Sequence, residues 1–161
     1  MSSENSSAPL VRPLQAEDTD LLYSVFCGLS EWSRKKYRPH DFTYETASKF
    51  TGEGLSEKGC RRFIALLRED GALQAAGFCF LYNMESETPS LGIAVSDRYQ
   101  RRGVGAAMMG HMIQTARAAG KKGLRLTTDK DNIAGQALYQ NYGFVITGEG
   151  KEDDYLMALD F

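Results

Sequence analysis

Residues 100–105 read Gln-Arg-Arg-Gly-Val-Gly and follow the apolar run Leu91–Val95. Opening a helix, that composition suits an anion. The first N–H groups of a helix have no intrahelical acceptor, and the aligned peptide dipoles leave partial positive charge there. A phosphate sits on such a terminus when the backbone can be approached. Gly103 and Gly105 remove side chains that would block the approach, Ala106 and Ala107 keep the first turn small, and Arg101 and Arg102 add charge. The pattern is not a P-loop, because no Gly-Lys-Ser/Thr follows at the required spacing. A dinucleotide turn is the nearer rival: Asp129 ends the next expected strand, where a ribose-binding acid would lie. Against it, Met108 occupies the third glycine position, and the chain after Gly103 is short for a dinucleotide fold. A tight turn with solvated arginines is the bland alternative. Strand, two arginines, two glycines, small residues and helix together favour a pyrophosphate site over it.

A second constellation runs from Asp131 to Phe144. Asp131 or Asn132 supplies a helix cap and Gly143 a stop. Asn132 and Tyr139 are two helical turns apart and share a face, so an amide and a phenol lie along one line. An extended polar ligand could lie there. A capping Asn and a half-buried Tyr explain the pair equally well on its own.

Together the motifs resemble the GNAT superfamily of N-acetyltransferases: Gln-x-x-Gly-x-Gly at a helix start (Gln100–Gly105), then Asn-x-x-Ala-x-x-x-Tyr-x-x-x-Gly-Phe (Asn132–Phe144). The likeness covers the element order from Leu10 to Leu159. It implies an α/β fold with a mixed, mostly antiparallel sheet flanked by helices, and transfer of an acetyl group from acetyl-CoA to a primary amine by direct attack. The turn amides Gln100, Arg101, Arg102, Gly103, Val104, Gly105 and Ala106 would bind pyrophosphate. Ile93, Ala94 and Val95 would pair with pantetheine and the thioester oxygen, with the Val95 N–H as oxyanion donor. Asn132 would touch the pantetheine arm, and Tyr139 would protonate the departing thiolate as general acid.

The resemblance leaves the acceptor side open. Relatives often carry Glu just before the strand that leads into the turn; here that residue is Ser90. Glu85 and Glu87 in the preceding loop are the next candidates for the base, with a water chain as the alternative. Arg34, Lys35, Lys36 and Arg38 could attract an acidic acceptor or form a solvated face, and Trp32, Tyr37, Phe42 and Tyr44 could line a wall or pack helices. A rival from another class is a catalytically silent acyl-CoA-binding regulatory module, favoured by Ser90 and opposed by Tyr139. A nicotinamide-binding fragment is the third reading.

Composition sets bounds. A net charge of −2 lacks the basic footprint of a nucleic-acid binder. No apolar run is long enough to span a membrane. Cys27, Cys60 and Cys79 are odd in number and unsuited to a metal pair, so inert reduced thiols, a cytoplasmic location and no metal are expected. The expected partners are acetyl-CoA and an amine, with a homodimer as a further possibility. His111 is expected to be structural.

These residues need elements to position them. Residues 1–9 read as a disordered tail, and 10–161 as one acyltransferase domain. Strands are expected at Leu10–Leu14, Arg62–Arg68, Leu73–Tyr82, Leu91–Val95, Leu124–Thr128, Phe144–Thr147 and Tyr155–Leu159. Helices are expected from Asp18 or Thr19 to about Leu29, over Tyr44–Thr51, from Val104 to about Ala119, and over Ile133–Tyr142. Glu69-Asp70-Gly71 signals a hairpin. The nearly all-apolar Ala75–Leu81 should be covered on both faces, and the unit from Leu91 to Thr128 should be parallel.

Overall fold

The computed structural model describes residues 8–36 and 40–161. Most of the expected tail, and Tyr37 and Arg38, lie outside the described residues.

Asp70 and Gly71 take φ of 51° and 79°, the left-handed pair that a two-residue hairpin turn requires. They join β2 (Cys60–Glu69) to β3 (Ala72–Tyr82), the longest strands. β1 (Leu10–Pro13) pairs with the outer edge of β2, and β4 (Ser90–Val95) with the other edge of β3. Helix α4 (Val104–Ala118) then crosses to β5 (Gly123–Asp129), parallel to β4. After α5 (Ile133–Asn141), β6 (Val145–Glu149) and β7 (Asp154–Asp160) complete the sheet in the order β1-β2-β3-β4-β5-β7-β6. Every neighbouring pair except β4/β5 is antiparallel, so the mixed α/β sheet is as expected.

Alternation along β2 and β3 divides the core. Ile64, Leu66, Phe78 and Phe80 face Leu22, Val25 and Phe26 of α1 (Thr19–Cys27) and Ala47 of α3 (Tyr44–Thr51). Phe63, Ala65, Cys79 and Leu81 face Met108, Met109 and Met112 of α4. β3 is thus covered on both faces. Gly120 and Gly143, at φ of 74° and 97°, end α4 and α5 as their left-handed conformation dictates.

Two local readings change. Asp18 precedes α1 but makes no capping bond. Its buried carboxylate instead takes both Arg12 guanidinium nitrogens, at 2.6 and 2.9 Å, and the Gln15 N–H at 2.7 Å. The Arg12 bonds hold the Asp18 carboxyl below its ordinary value against the opposing effect of burial. A lowered folded-state value contributes stability that is present above the unfolded carboxylate value, about 3.9, and lost as pH falls through the folded one. Asp18→Asn should therefore cost about 2 kcal/mol near neutrality, with the gap to wild type closing in acid. Thermal midpoints of both proteins across pH check this; a gap independent of pH would count against it. Second, the polar segment after Leu29 contains a short helix, α2 (Glu31–Lys36), that composition did not signal.

Candidate active site

The sheet opens where β4 meets β5. Ser96 N–H donates to Ala76 O at 2.9 Å, toward β3. Backbone groups alternate sides along a strand, so Val95 and Ile93 direct theirs to the opposite edge. There β4 and β5 pair only at Ser90↔Arg125, while β5 stays paired with β7 along its whole length. The strands diverge into a slot of about 140 Å³ lined by Leu91–Val95, Leu126–Thr128, Gln100, Asn132 and Tyr139. Leu29, Trp32, Ser33 and Lys36 cover it at helical spacing. Ala94 differs from its neighbours: it is paired with Phe78 and buried beneath α1.

The expected phosphate turn sits at one end of the slot. A 3-10 turn at Asp97–Tyr99 leads into Gln100, whose side-chain amide donates to Val95 O at 3.3 Å. Arg101 and Gly103 take φ of 61° and 82°. The first helical bond of α4 is Ala107 N–H to Gly103 O, so the N–H groups from Arg101 to Ala106 have no backbone acceptor among the described residues. Six successive free amides at a helix start form an anion cradle. Arg102 is partly engaged, with Nη1 3.1 Å from Glu69 and the guanidinium over the Tyr99 ring; Arg101 has no carboxylate partner among the described residues. The glycines divide their work differently from the expectation. A Cβ on Gly103 would meet nothing within 4 Å, so that residue serves the left-handed turn and leaves the cradle open. A Cβ on Gly105 would lie 3.1 Å from Leu138, so Gly105 serves close packing of α4 on α5.

Helix α5 supplies the amide and the phenol. Asn132 caps it, accepting from Gly135 N–H at 3.2 Å and donating to Thr128 Oγ1 at 3.1 Å. Asn132 and Tyr139 both line the slot, as their spacing predicts. Tyr142 donates to Ala106 O at 2.8 Å, tying the end of α5 to the first turn of α4. Burial alone pushes the Tyr139 phenol up to about 12. It remains protonated throughout the physiological range, in the state an acid needs.

A larger cavity of about 840 Å³ adjoins the slot on the α1 face. The two share Leu91, Gly92, Thr127, Thr128 and Lys36. The Phe80 ring lies where a Gly92 side chain would be, so this glycine admits an aromatic floor at the junction. Glu85 lines the cavity; Glu87 lines neither, and its carboxylate pairs with Lys122 at 3.1 Å. Lys36 joins Asp129 at 3.3 Å and also Asp131, clipping α2 to the end of β5. Arg34 turns inward to Phe26 O. His40, Asp129 and Asp154 also line the cavity and were not expected there. For Asp129 the period-two pattern of β5, which puts it on the same face as Thr127, was an available signal. His40 lies among Phe26, Phe42, Phe50 and Phe78, where burial lowers its basicity. His111 packs edge-on against Phe63, a structural place. Of the thiols, Cys79 is buried and Cys60 half-buried, but Cys27 is exposed. No cluster able to hold a metal occurs among the described residues.

Residues 23–144 match the model of the Acetyltransferase (GNAT) family. The chain belongs to this family. It is 32% identical over 113 residues, 65% of this chain and 75% of the other, to a [ribosomal protein bS18]-alanine N-acetyltransferase of Escherichia coli K12. The fold superposes with a TM-score of 0.81 on a ribosomal-protein-S5-alanine acetyltransferase of Vibrio fischeri, at 14% identity, covering 96% of this chain and 93% of that one. It superposes at 0.76 on the PaiA N-acetyltransferase of Thermoplasma acidophilum solved with coenzyme A, at 16% identity, covering 96% and 100%. The chain is accordingly an acetyl-CoA-dependent GNAT N-acetyltransferase. No helix among the described residues is long and apolar enough to cross a membrane.

Proposed function

We propose that the slot holds the pantetheine arm and thioester of acetyl-CoA, with the pyrophosphate on the amides of Arg101–Ala106, and that a primary amine enters from the larger cavity. The observation that carries this is the placing of Tyr139, a protonated phenol, in a slot whose other wall is the unpaired edge of β4. Ile93 and Val95 present that edge, and the Val95 N–H is the oxyanion donor. The amine, once deprotonated, attacks the carbonyl carbon. The N–C bond forms, the C–S bond breaks, Tyr139 delivers its proton to the departing sulfur, and the proton shed by the new amide nitrogen returns to Tyr139. Per turnover one ammonium and one thioester give one amide, one thiol and one released proton. Glu85, at the cavity wall, accepts the ammonium proton through water; Glu87 lines neither cavity.

The E. coli relative makes a peptide N-terminal alanine the first acceptor to assay. Three free thiols support a reducing, cytoplasmic setting. Calorimetry with acetyl-CoA tests the donor half: saturable binding is expected, and no binding at millimolar ligand would sink it. A silent acyl-CoA module is the second reading, favoured by Ser90 standing where a carboxylate base is common. Thiol release across an amine panel separates the two.

A further inference from the structure

The cap of α5 fixes the direction of a second hydrogen bond. Gly135 N–H donates to Asn132 Oδ1 at 3.2 Å, so Nδ2 is the end of the amide that lies 3.1 Å from Thr128 Oγ1. An amide nitrogen only donates. Thr128 Oγ1 is therefore the acceptor in that pair, and its own proton is not spent there. Among the described residues nothing accepts that proton. Thr128 is 5% exposed, and a buried hydroxyl proton without an acceptor is unfavourable.

The strand places this hydroxyl. Period two puts Thr128 on the face of Leu124 and Leu126, which share a core with Tyr139, and Thr127 on the other. Thr128 lines the slot on its β5 wall, across from the unpaired edge of β4. It also lines the larger cavity, so it stands near the junction of the two. Asn132 is largely committed by comparison, with Oδ1 on the cap and an N–H on Thr128.

We propose that the Thr128 O–H donates to a carbonyl oxygen of the acyl-pantetheine arm, and that Asn132 is a positioning residue which acts through Thr128 by keeping that proton free for the ligand. This rests on the reading of the slot as the donor site. β4 offers N–H donors from one wall, and Thr128 offers one from the other. The amide at 132 has a consequence of its own. Asp caps a helix as well as Asn does. A carboxylate there, however, would accept from Thr128 instead of donating to it, and would turn the proton away from the slot.

The test is calorimetry of acetyl-CoA and of free CoA on the full chain and its variants. Thr128→Val keeps the shape and removes the proton, so acetyl-CoA affinity should fall about five- to tenfold, as one lost hydrogen bond implies. Thr128→Ala serves in its place if the valine variant fails to fold. Thr128→Ser keeps the hydroxyl and should stay within about twofold of wild type. Asn132→Asp should hold the wild-type thermal midpoint, because the cap survives, yet weaken acetyl-CoA by a factor similar to that of Thr128→Val. Combined with Thr128→Val it should add little, since the group it acts through is gone; a cost of the new negative charge alone would persist there. A loss shared by CoA identifies an amide carbonyl of the arm, and a loss confined to acetyl-CoA the thioester carbonyl. Wild-type affinity in Thr128→Val, or an Asn132→Asp cost that is the same with and without the Thr128 hydroxyl, overturns the proposal. Failure of the wild type to bind acetyl-CoA would instead overturn the donor site.

Discussion

Tyr139→Phe should lower kcat about 10²–10⁴-fold while acetyl-CoA affinity changes by less than about threefold. The ring sits in the core against Phe144, and Phe keeps that packing. The hydroxyl makes no hydrogen bond with any described residue, so its loss leaves no protein group unsatisfied. On the proposed mechanism, what disappears is the proton for the thiolate. Thiol-release kinetics paired with calorimetry separate the two effects, and unchanged kcat would remove Tyr139 as the acid. The pH dependence has a definite sign. Burial raises the phenol, so the folded form holds its proton beyond the unfolded value near 10. Any stability tied to that proton is complete below 10 and is lost only as pH rises toward about 12. Activity in the neutral range should therefore follow deprotonation of the amine and rise with pH. The phenolate difference spectrum between wild type and Tyr139→Phe checks that Tyr139 holds its proton to about 12.

The turn and the shared helix face proposed to hold the donor were legible because their determinants are local. Gln100–Gly105 is a strand exit, a left-handed turn and a helix start within a few residues. Asn132 and Tyr139 are related by the helix period alone. The acceptor half depends on contacts that no short window contains. Glu85 and Glu87 are two apart in an irregular loop, where no period decides which faces the cavity; Glu87 instead pairs with Lys122, in the connection between α4 and β5. Helix α2 has no apolar stripe. Ser33 Oγ donates to Asp97 at 2.8 Å and Lys36 reaches Asp129, so distant carboxylates hold both ends. Asp154 becomes visible only through the register that puts it opposite Asp129. The same limit applies to Gly105: its glycine identity was plain, but its packing role required Leu138.

Gly77 joins these two levels and should show the largest structural effect. It lies mid-strand in β3, opposite Val95, where sequence alone marks it only as a gap in an apolar run. A Cβ there would meet Met108 Cε at 2.7 Å, Ala94 O at 3.0 Å and Val104 Cγ1 at 3.1 Å. The Met108 terminus can swing away. Ala94 O belongs to the β4 backbone and Val104 opens α4, so neither moves without the other parts of the donor site. Gly77→Val should then destabilise the fold by about 3 kcal/mol, the upper range for overpacking, and lower the thermal midpoint by about 6–12 °C. Surviving folded protein should bind acetyl-CoA more weakly, because the amides of Arg101–Ala106 shift with the helix start. Gly103→Ala offers the contrast: it meets no atom but must adopt φ of 82°, a strain of about 1–2 kcal/mol confined to the turn. Its affinity loss should exceed what its smaller stability loss accounts for. If Gly77→Val kept both the wild-type midpoint and the wild-type acetyl-CoA affinity, the close approach of α4 to the sheet would not be what positions the phosphate turn.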